Sequence, residues 1–217
     1  MISSWCSVVF GYRQIPDKSH AVGIVSRNLE KPSHEDFVKV KRIFRYLKGT
    51  TDRGLLYKPG YKPGIIENYS DADHGGDLQT GHSTTGVICL HAGAAISWLS
   101  QKQSSVAIST TEAEVFAASE AARETVWLRR LMKTMIPMNS VPELYVDNET
   151  AVKLAQNPEF HRRTKHIRIR HFYVRECVSD GELEVKRVPM EFQLADIMTK
   201  PLLKPRITAL CDKIGLI

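Results

Sequence analysis

The chain has 217 residues, 42% of them hydrophobic and 25% charged, with a formal net charge of +6. That balance is ordinary for a soluble globular protein, and the length suits one medium domain with an appendage better than two full domains. The positive excess favours an anionic partner. Four cysteines (Cys6, Cys89, Cys177 and Cys211) stand far apart without metal-type pairing, and no stretch reads as a signal peptide or membrane span; an intracellular protein with reduced thiols and no membrane association is expected.

In chain order, the first clear element is a helix. Ser33 follows Pro32 as a cap with Asp36 three residues on, and Phe37, Val40, Phe44 and Leu47 recur at helical spacing before Gly49. Its other face carries Lys39, Lys41, Arg42, Arg45 and Lys48, either solvated or touching a phosphate backbone. The Gly/Pro/Lys-rich run 58–64 reads as a linker. Residues 65–71, 86–91 and 94–100 then read as three strands joined by turns. A long helix over 111–135 follows, with Ala113, Ala117, Ala121, Leu128, Leu131 and Met135 roughly on one face. After it come a strand over Glu143–Val146, a helix over Glu149–Gln156, a basic helical stretch over 164–178, a strand over 182–188 and a helix over 191–199. Three hairpin-joined strands, then strands separated by helices, imply an α/β fold with a mixed five-stranded sheet flanked by helices. A small helical segment precedes it, and 201–217 reads as a connector and short last helix. Trp98 and Trp127 lie in apolar periodic stretches and are expected in the core.

Four carboxylates occupy positions where α/β sheets place active sites, at strand ends and helix starts. Asp71 ends the first strand, Glu112 opens the long helix, Asp147 ends Leu144-Tyr145-Val146, and Asp196 sits in the last helix. Each has a plainer reading. Asp71 could be a turn residue, Glu112 the partner of Ser109 in a capping box, Asp147 a helix cap and Asp196 a solvated acid. Taken together, carboxylates without a cysteine or paired-histidine ligand set suit a hard cation such as Mg²⁺ or Mn²⁺. Two such ions about 4 Å apart can clamp the attacking and leaving oxygens of a phosphodiester displacement.

Several segments carry a specific resemblance. Tyr-Ser-Asp71-Ala-Asp73, Ala-Ala-Ile-Ser-Trp98, Ser-Thr-Thr-Glu112-Ala-Glu114, Val-Asp147-Asn-Glu-Thr-Ala, Phe160-His-Arg-Arg-Thr-Lys-His166-Ile and Gln193-Leu-Ala-Asp196-Ile-Met-Thr-Lys-Pro201 occur in order. They resemble the ribonuclease H region of copia-type retrotransposon Pol polyproteins. Residues 17–57, including Lys41-Arg42-Ile-Phe-Arg-Tyr-Leu-Lys-Gly49, resemble the stretch joining reverse transcriptase to that region. The resemblance implies a reverse-transcriptase tail over 1–57, a linker over 58–64, a ribonuclease H-like domain over 65–200 and a tail over 201–217. It implies hydrolysis of the RNA strand of RNA–DNA hybrids with two Mg²⁺ (or Mn²⁺) ions, and catalytic, metal-holding roles for Asp71, Glu112, Asp147 and Asp196. Asp71 would bridge both ions, Glu112 and Asp147 would serve the leaving-group side, and Asp196 the ion that activates water.

Two choices stay open: Asp73 lies on the same strand face as Asp71, and Glu114 is about 200° around the helix from Glu112. The family's Thr-Glu placement favours Glu112. The short run between Val188-Pro189 and Asp196 leaves no counterpart to the mobile histidine-bearing loop of cellular ribonucleases H.

The segment 161–175 contains Arg162, Arg163, Lys165, Arg168, Arg170 and Arg175 and no acid. One-signed charge of this kind favours sequence-independent phosphate contact, with Ser70, Thr111 and Asn148 as candidates for reading 2′-hydroxyls. No Tyr-x-Asp-Asp signature occurs, so polymerisation by this chain alone is not expected. The chain would be a fragment, a degraded copy or a separately expressed domain, acting beside the reverse-transcriptase palm and integrase in a cytoplasmic virus-like particle or in the nucleus. Two rival readings are a catalytically inactive relic that only binds nucleic acid and a related nuclease such as an integrase or resolvase.

Overall fold

The computed structural model describes residues 15–138, 140–156 and 168–217. A 3₁₀ turn at Pro16–Lys18 leads into α1 (Ser19–Ser26), and α2 (His34–Lys48) follows. The Ser33 hydroxyl accepts from the Asp36 amide at 3.1 Å, and Asp36 accepts from the Ser33 amide at 3.0 Å. This reciprocal cap satisfies donors that the first helical turn leaves without partners. The Ser33 hydrogen bonds also hold the Asp36 carboxyl far below its usual range. Val40 and Ile43 of α2 pack on Val22 and Val25 of α1. The same α1 lies against the sheet, described next, through its third strand.

The sheet comprises β1 (Glu67–Asp73), β2 (Thr84–His91), β3 (Ala94–Lys102), β4 (Glu143–Val146) and β5 (Glu184–Arg187), in the order β3-β2-β1-β4-β5. The β1–β2 and β2–β3 pairs are antiparallel, and β4 and β5 join parallel to β1. The expected mixed sheet is present. Both β1 and β2 extend two residues further at the Asp73/Thr84 end than periodicity alone placed them. Hairpin pairing with a neighbour continues a strand past its apolar run.

One face is covered by α3 (Thr110–Lys133), α4 (Glu149–Gln156) and α5 (Arg168–Ser179), enclosing Ile66, Val87, Cys89, Leu144 and Val146. The alanines of α3 allow its close approach to β1 and β2. Leu131 and Met135, expected on the buried face, are exposed, because the last turns of the helix present Met132 to this core instead. Trp127, expected in the core, is 56% exposed, while Trp98 is partly buried against the opposite core.

The other face carries α6 (Asp196–Thr199) and α7 (Lys204–Lys213), over Ile88, Leu90, Met198, Leu210 and Ile214. The single helix expected over 191–199 is instead a 3₁₀ turn at Met190–Phe192 and the short α6. They are separated because Gln193 takes an extended backbone. Its buried side chain donates to Ser70 O at 2.9 Å and accepts from the Ala195 amide at 3.2 Å. That link fastens the turn to β1.

The segment expected to be a tail is integral to this second core. Leu216 forms a β-bridge with Leu55, and Gly54 and Ile217 exchange backbone hydrogen bonds of 2.9 and 3.0 Å. Gly215 has φ +74°, and a Cβ there would stand 2.6 Å from the Ala94 Cβ, so only glycine suits this turn. The expected linker over 58–64 lies along the β2–β3 turn, through Lys58 N to Ala92 O at 2.8 Å.

Candidate active site

The central strand supplies the first acid. Asp71 is 1% exposed and pairs across β1–β2 with Gly86. A Cβ at Gly86 would lie 2.6 Å from Thr199 Cγ2 and 2.8 Å from Met198 Cβ. A glycine inside a strand often marks such a close approach; here it lets α6 sit directly on the strand beside Asp71. The Thr199 hydroxyl donates to Asp71 Oδ2, and Lys200 Nζ donates to Oδ1 at 3.1 Å. Burial pushes the Asp71 carboxyl up; Lys200 and Thr199 pull the other way without reversing the shift.

Asp71, Glu114 and Asp147 each place a carboxylate oxygen so that the three lie within 4.8 Å of one another. Glu114, rather than the expected Glu112, is therefore the glutamate brought to Asp71. Glu112 Oε2 accepts from the Ile108 amide at 2.8 Å, and the Glu112 amide donates to Ser109 Oγ at 3.1 Å. The Ser109 cap is the one that the Ser109-x-x-Glu112 spacing offered, while the Glu112 carboxylate reaches past it to the Ile108 amide and braces the entry to α3. Two positions on, Glu114 faces the end of β1, with Oε1 3.4 Å from the Ala72 amide. Glu114 Oε2 is buried and has no hydrogen-bond partner among the described residues. Burial, reinforced by the charges of Asp71 and Asp147, pushes the Glu114 carboxyl well above its usual range.

Asp147 follows the last residue of β4, and burial and then Asp71 raise its carboxyl. The cap of α4 is Asn148, whose Oδ1 accepts from the Ala151 amide at 3.0 Å. Asp196 opens α6 and meets the cluster through Lys200, whose Nζ lies 2.7 Å from Asp196 Oδ1 as well as 3.1 Å from Asp71 Oδ1. Burial opposes the Lys200 charge, but the two aspartates outweigh it and hold the ammonium above its ordinary range. Arg206 takes the other Asp196 oxygen at 3.1 Å. Asp73, the alternative to Asp71, accepts instead from the Thr84 amide and lies under Gly76.

No protein-family model matches the chain. The retrovirus-related Pol polyprotein from transposon TNT 1-94 of Nicotiana tabacum is 42% identical over 185 residues, covering 85% of this chain and 14% of that protein. The counterpart from transposon RE2 of Arabidopsis thaliana is 38% identical over 203 residues, 93% of this chain and 14% of its own length. The chain is a homologue of retrovirus-related Pol polyproteins of copia-type transposons. It spans about 14% of the length of these Pol relatives. Its fold is that of LC11-RNase H1, isolated from compost by a metagenomic approach: TM-score 0.50 and 17% identity, over 63% of this chain and 93% of that one.

Of the basic residues expected at phosphates in this Pol homologue, Arg162, Arg163 and Lys165 lie outside the described residues, and Arg168 opens α5. The Arg170 guanidinium stands over the Phe116 ring, 3.8 Å from its centroid. Of the residues expected near 2′-hydroxyls, Ser70 is fully buried in the sheet and Asn148 is engaged as a cap, whereas Thr111 stays partly exposed. Thr199, Lys200, Arg206 and Gln193 had no sequence-derived role, although the first two stand in the Asp196-Ile-Met-Thr-Lys motif. Among the described residues no helix is long and apolar enough to cross a membrane.

Proposed function

We propose that this chain hydrolyses the RNA strand of RNA–DNA hybrids at a divalent-metal centre built from Asp71, Glu114 and Asp147, with Asp196 at its margin. One observation carries the reading: three carboxylates from three separate segments converge within 4.8 Å, one oxygen of Glu114 being buried without a hydrogen-bond partner among the described residues. Such an all-oxygen set is costly unless a cation joins it, and it fits Mg²⁺ or Mn²⁺. With Asp196 there are carboxylates enough for two ions. A bound ion would polarise the phosphate and make water acidic enough to attack.

The chain's own groups prepare that chemistry. Gly86 admits α6 to the strand, Thr199 fixes one Asp71 oxygen, and Lys200 holds Asp71 and Asp196 together against their mutual repulsion. Burial of Asp71 and Glu114 excludes water and strengthens their hold on a cation. Arg162, Arg163, Lys165, Arg168 and Arg170 would track the hybrid's phosphates without reading sequence. The Pol relatives' names support a setting in a transposon's longer polyprotein, where the chain would act in reverse transcription beside polymerase and integrase parts.

A labelled RNA–DNA hybrid incubated with the chain in Mg²⁺ or Mn²⁺ should be cut in its RNA strand, and Asp147→Asn should abolish cutting. A hybrid left intact with both ions would refute the enzyme. Binding without cutting would instead support the inactive relic.

A further inference from the structure

A single side chain on α7 ties the fourth acid to the backbone that carries it. Arg206 Nη1 donates to Glu191 O at 2.6 Å, and Nη2 approaches Met190 O at 3.2 Å, Gln193 O at 3.5 Å and Asp196 Oδ2 at 3.1 Å. The carbonyls belong to the 3₁₀ turn that replaces a continuous helix before Asp196. Lys213, two turns further on the same face of α7, places its ammonium 4.6 Å from the Phe192 ring of the same turn. Leu210 and Cys211 root α7 in the second core, at 0% and 1% exposed.

We infer that Arg206 is a positioning residue for Asp196, which makes the C-terminal helix part of the metal centre. This rests on the proposed function. The two cations on Asp196 differ in how firmly they are held. Lys200 ends in one ammonium on a flexible stem and, among the described residues, donates to Asp71 and Asp196. Arg206 is a planar fork locked by three carbonyls, so its grip on Oδ2 has a fixed direction. With Oδ2 tethered by Arg206, Oδ1 faces Asp71 across the Lys200 ammonium, 2.7 Å away, and is the oxygen that would serve a cation in exchange for Lys200. α6 is one turn long, and its N-terminal residue has no side-chain cap. Such an element has little intrinsic stability, and Arg206 supplies the anchor.

The test uses the 217-residue chain, with Mn²⁺ as the probe. Arg206→Met should weaken Mn²⁺ binding, read by electron paramagnetic resonance, by roughly 10–100-fold. It should lower kcat on the hybrid and leave KM unchanged, because Arg206 touches the acid and not the substrate. Arg206→Lys should recover part of the affinity. In an Asp196→Asn background the Arg206 substitution should change Mn²⁺ binding no further, whereas a merely structural arginine would give an additional loss. That comparison also decides the matter with Arg206→Lys alone if Arg206→Met does not fold. A wild-type chain that binds Mn²⁺ and cuts, matched in both by Arg206→Met, overturns the role of Arg206 and leaves the proposed function standing. A wild-type chain that takes up no Mn²⁺ overturns both.

Discussion

Replacing Glu114 and Glu112 in turn separates the two glutamates by the sign of their effects. Two ionised carboxylates whose oxygens lie within 4.8 Å of one another repel by at least about 3.5 kcal/mol at an effective dielectric of about 20. Glu114 has two such neighbours, so the repulsion on it is about 7 kcal/mol or more if all three are ionised. Protonation of Glu114 and the Lys200 charge absorb much of this, leaving roughly 1–3 kcal/mol. Glu114→Gln should therefore be more stable than wild type in EDTA by that amount. In Mg²⁺ that advantage should close or reverse: wild type gains about 2.7 kcal/mol at a hundredfold excess over its Kd, and the variant gains little. Glu112→Ala should lose about 0.5–2 kcal/mol in both conditions, as a lost cap, and keep its cleavage. Urea unfolding with and without Mg²⁺, beside hybrid cleavage, measures all of these. A Glu114→Gln variant that cuts at the wild-type rate, or a Glu112→Ala variant that loses its Mg²⁺ response, would refute the assignment.

The raised carboxyls of Asp71, Glu114 and Asp147 set a pH dependence of unusual sign. Their folded forms hold protons more tightly than the unfolded chain does, so metal-free stability from this cluster is full below about pH 4 and falls as pH rises toward the folded values. Urea midpoints in EDTA across that range should show the fall flattened in Glu114→Gln; an identical slope in variant and wild type would remove the basis. Gly86→Ala should push α6 off the strand, costing about 1–3 kcal/mol and weakening Mn²⁺ binding; calorimetry and a metal titration check it, and an unperturbed variant would show that α6 does not lie as close as described. Replacing Arg162, Arg163 and Arg168 with alanine should flatten the log–log salt dependence of hybrid binding by about 0.9 per lost phosphate contact. An unchanged slope would discard that role.

The order of elements was legible along the chain because strand and helix periods are local properties. β4 and α4 fell on the residues expected, and the three hairpin strands were placed to within two residues. The positions of Asp71, Asp147 and Asp196 were visible too, since strand ends and motif spacing are written in sequence. The choice between Glu112 and Glu114 was not: helical phase leaves them about 200° apart, and which side faces the sheet depends on where α3 docks. The Ser109-x-x-Glu112 spacing is itself a local signal that Glu112 belongs to the helix start.

Residue order alone carries an α/β chain with acids at or near strand ends and a likeness to transposon Pol polyproteins, because those features need only neighbours along the backbone. Tertiary structure decided which glutamate joins the aspartates, that Lys200 bridges two acids, and that the last helix holds the fourth. Each of these is a contact between segments distant along the chain, such as Lys200 with Asp71 or Glu114 with Ala72. Their geometry exists only once both faces of the sheet are packed.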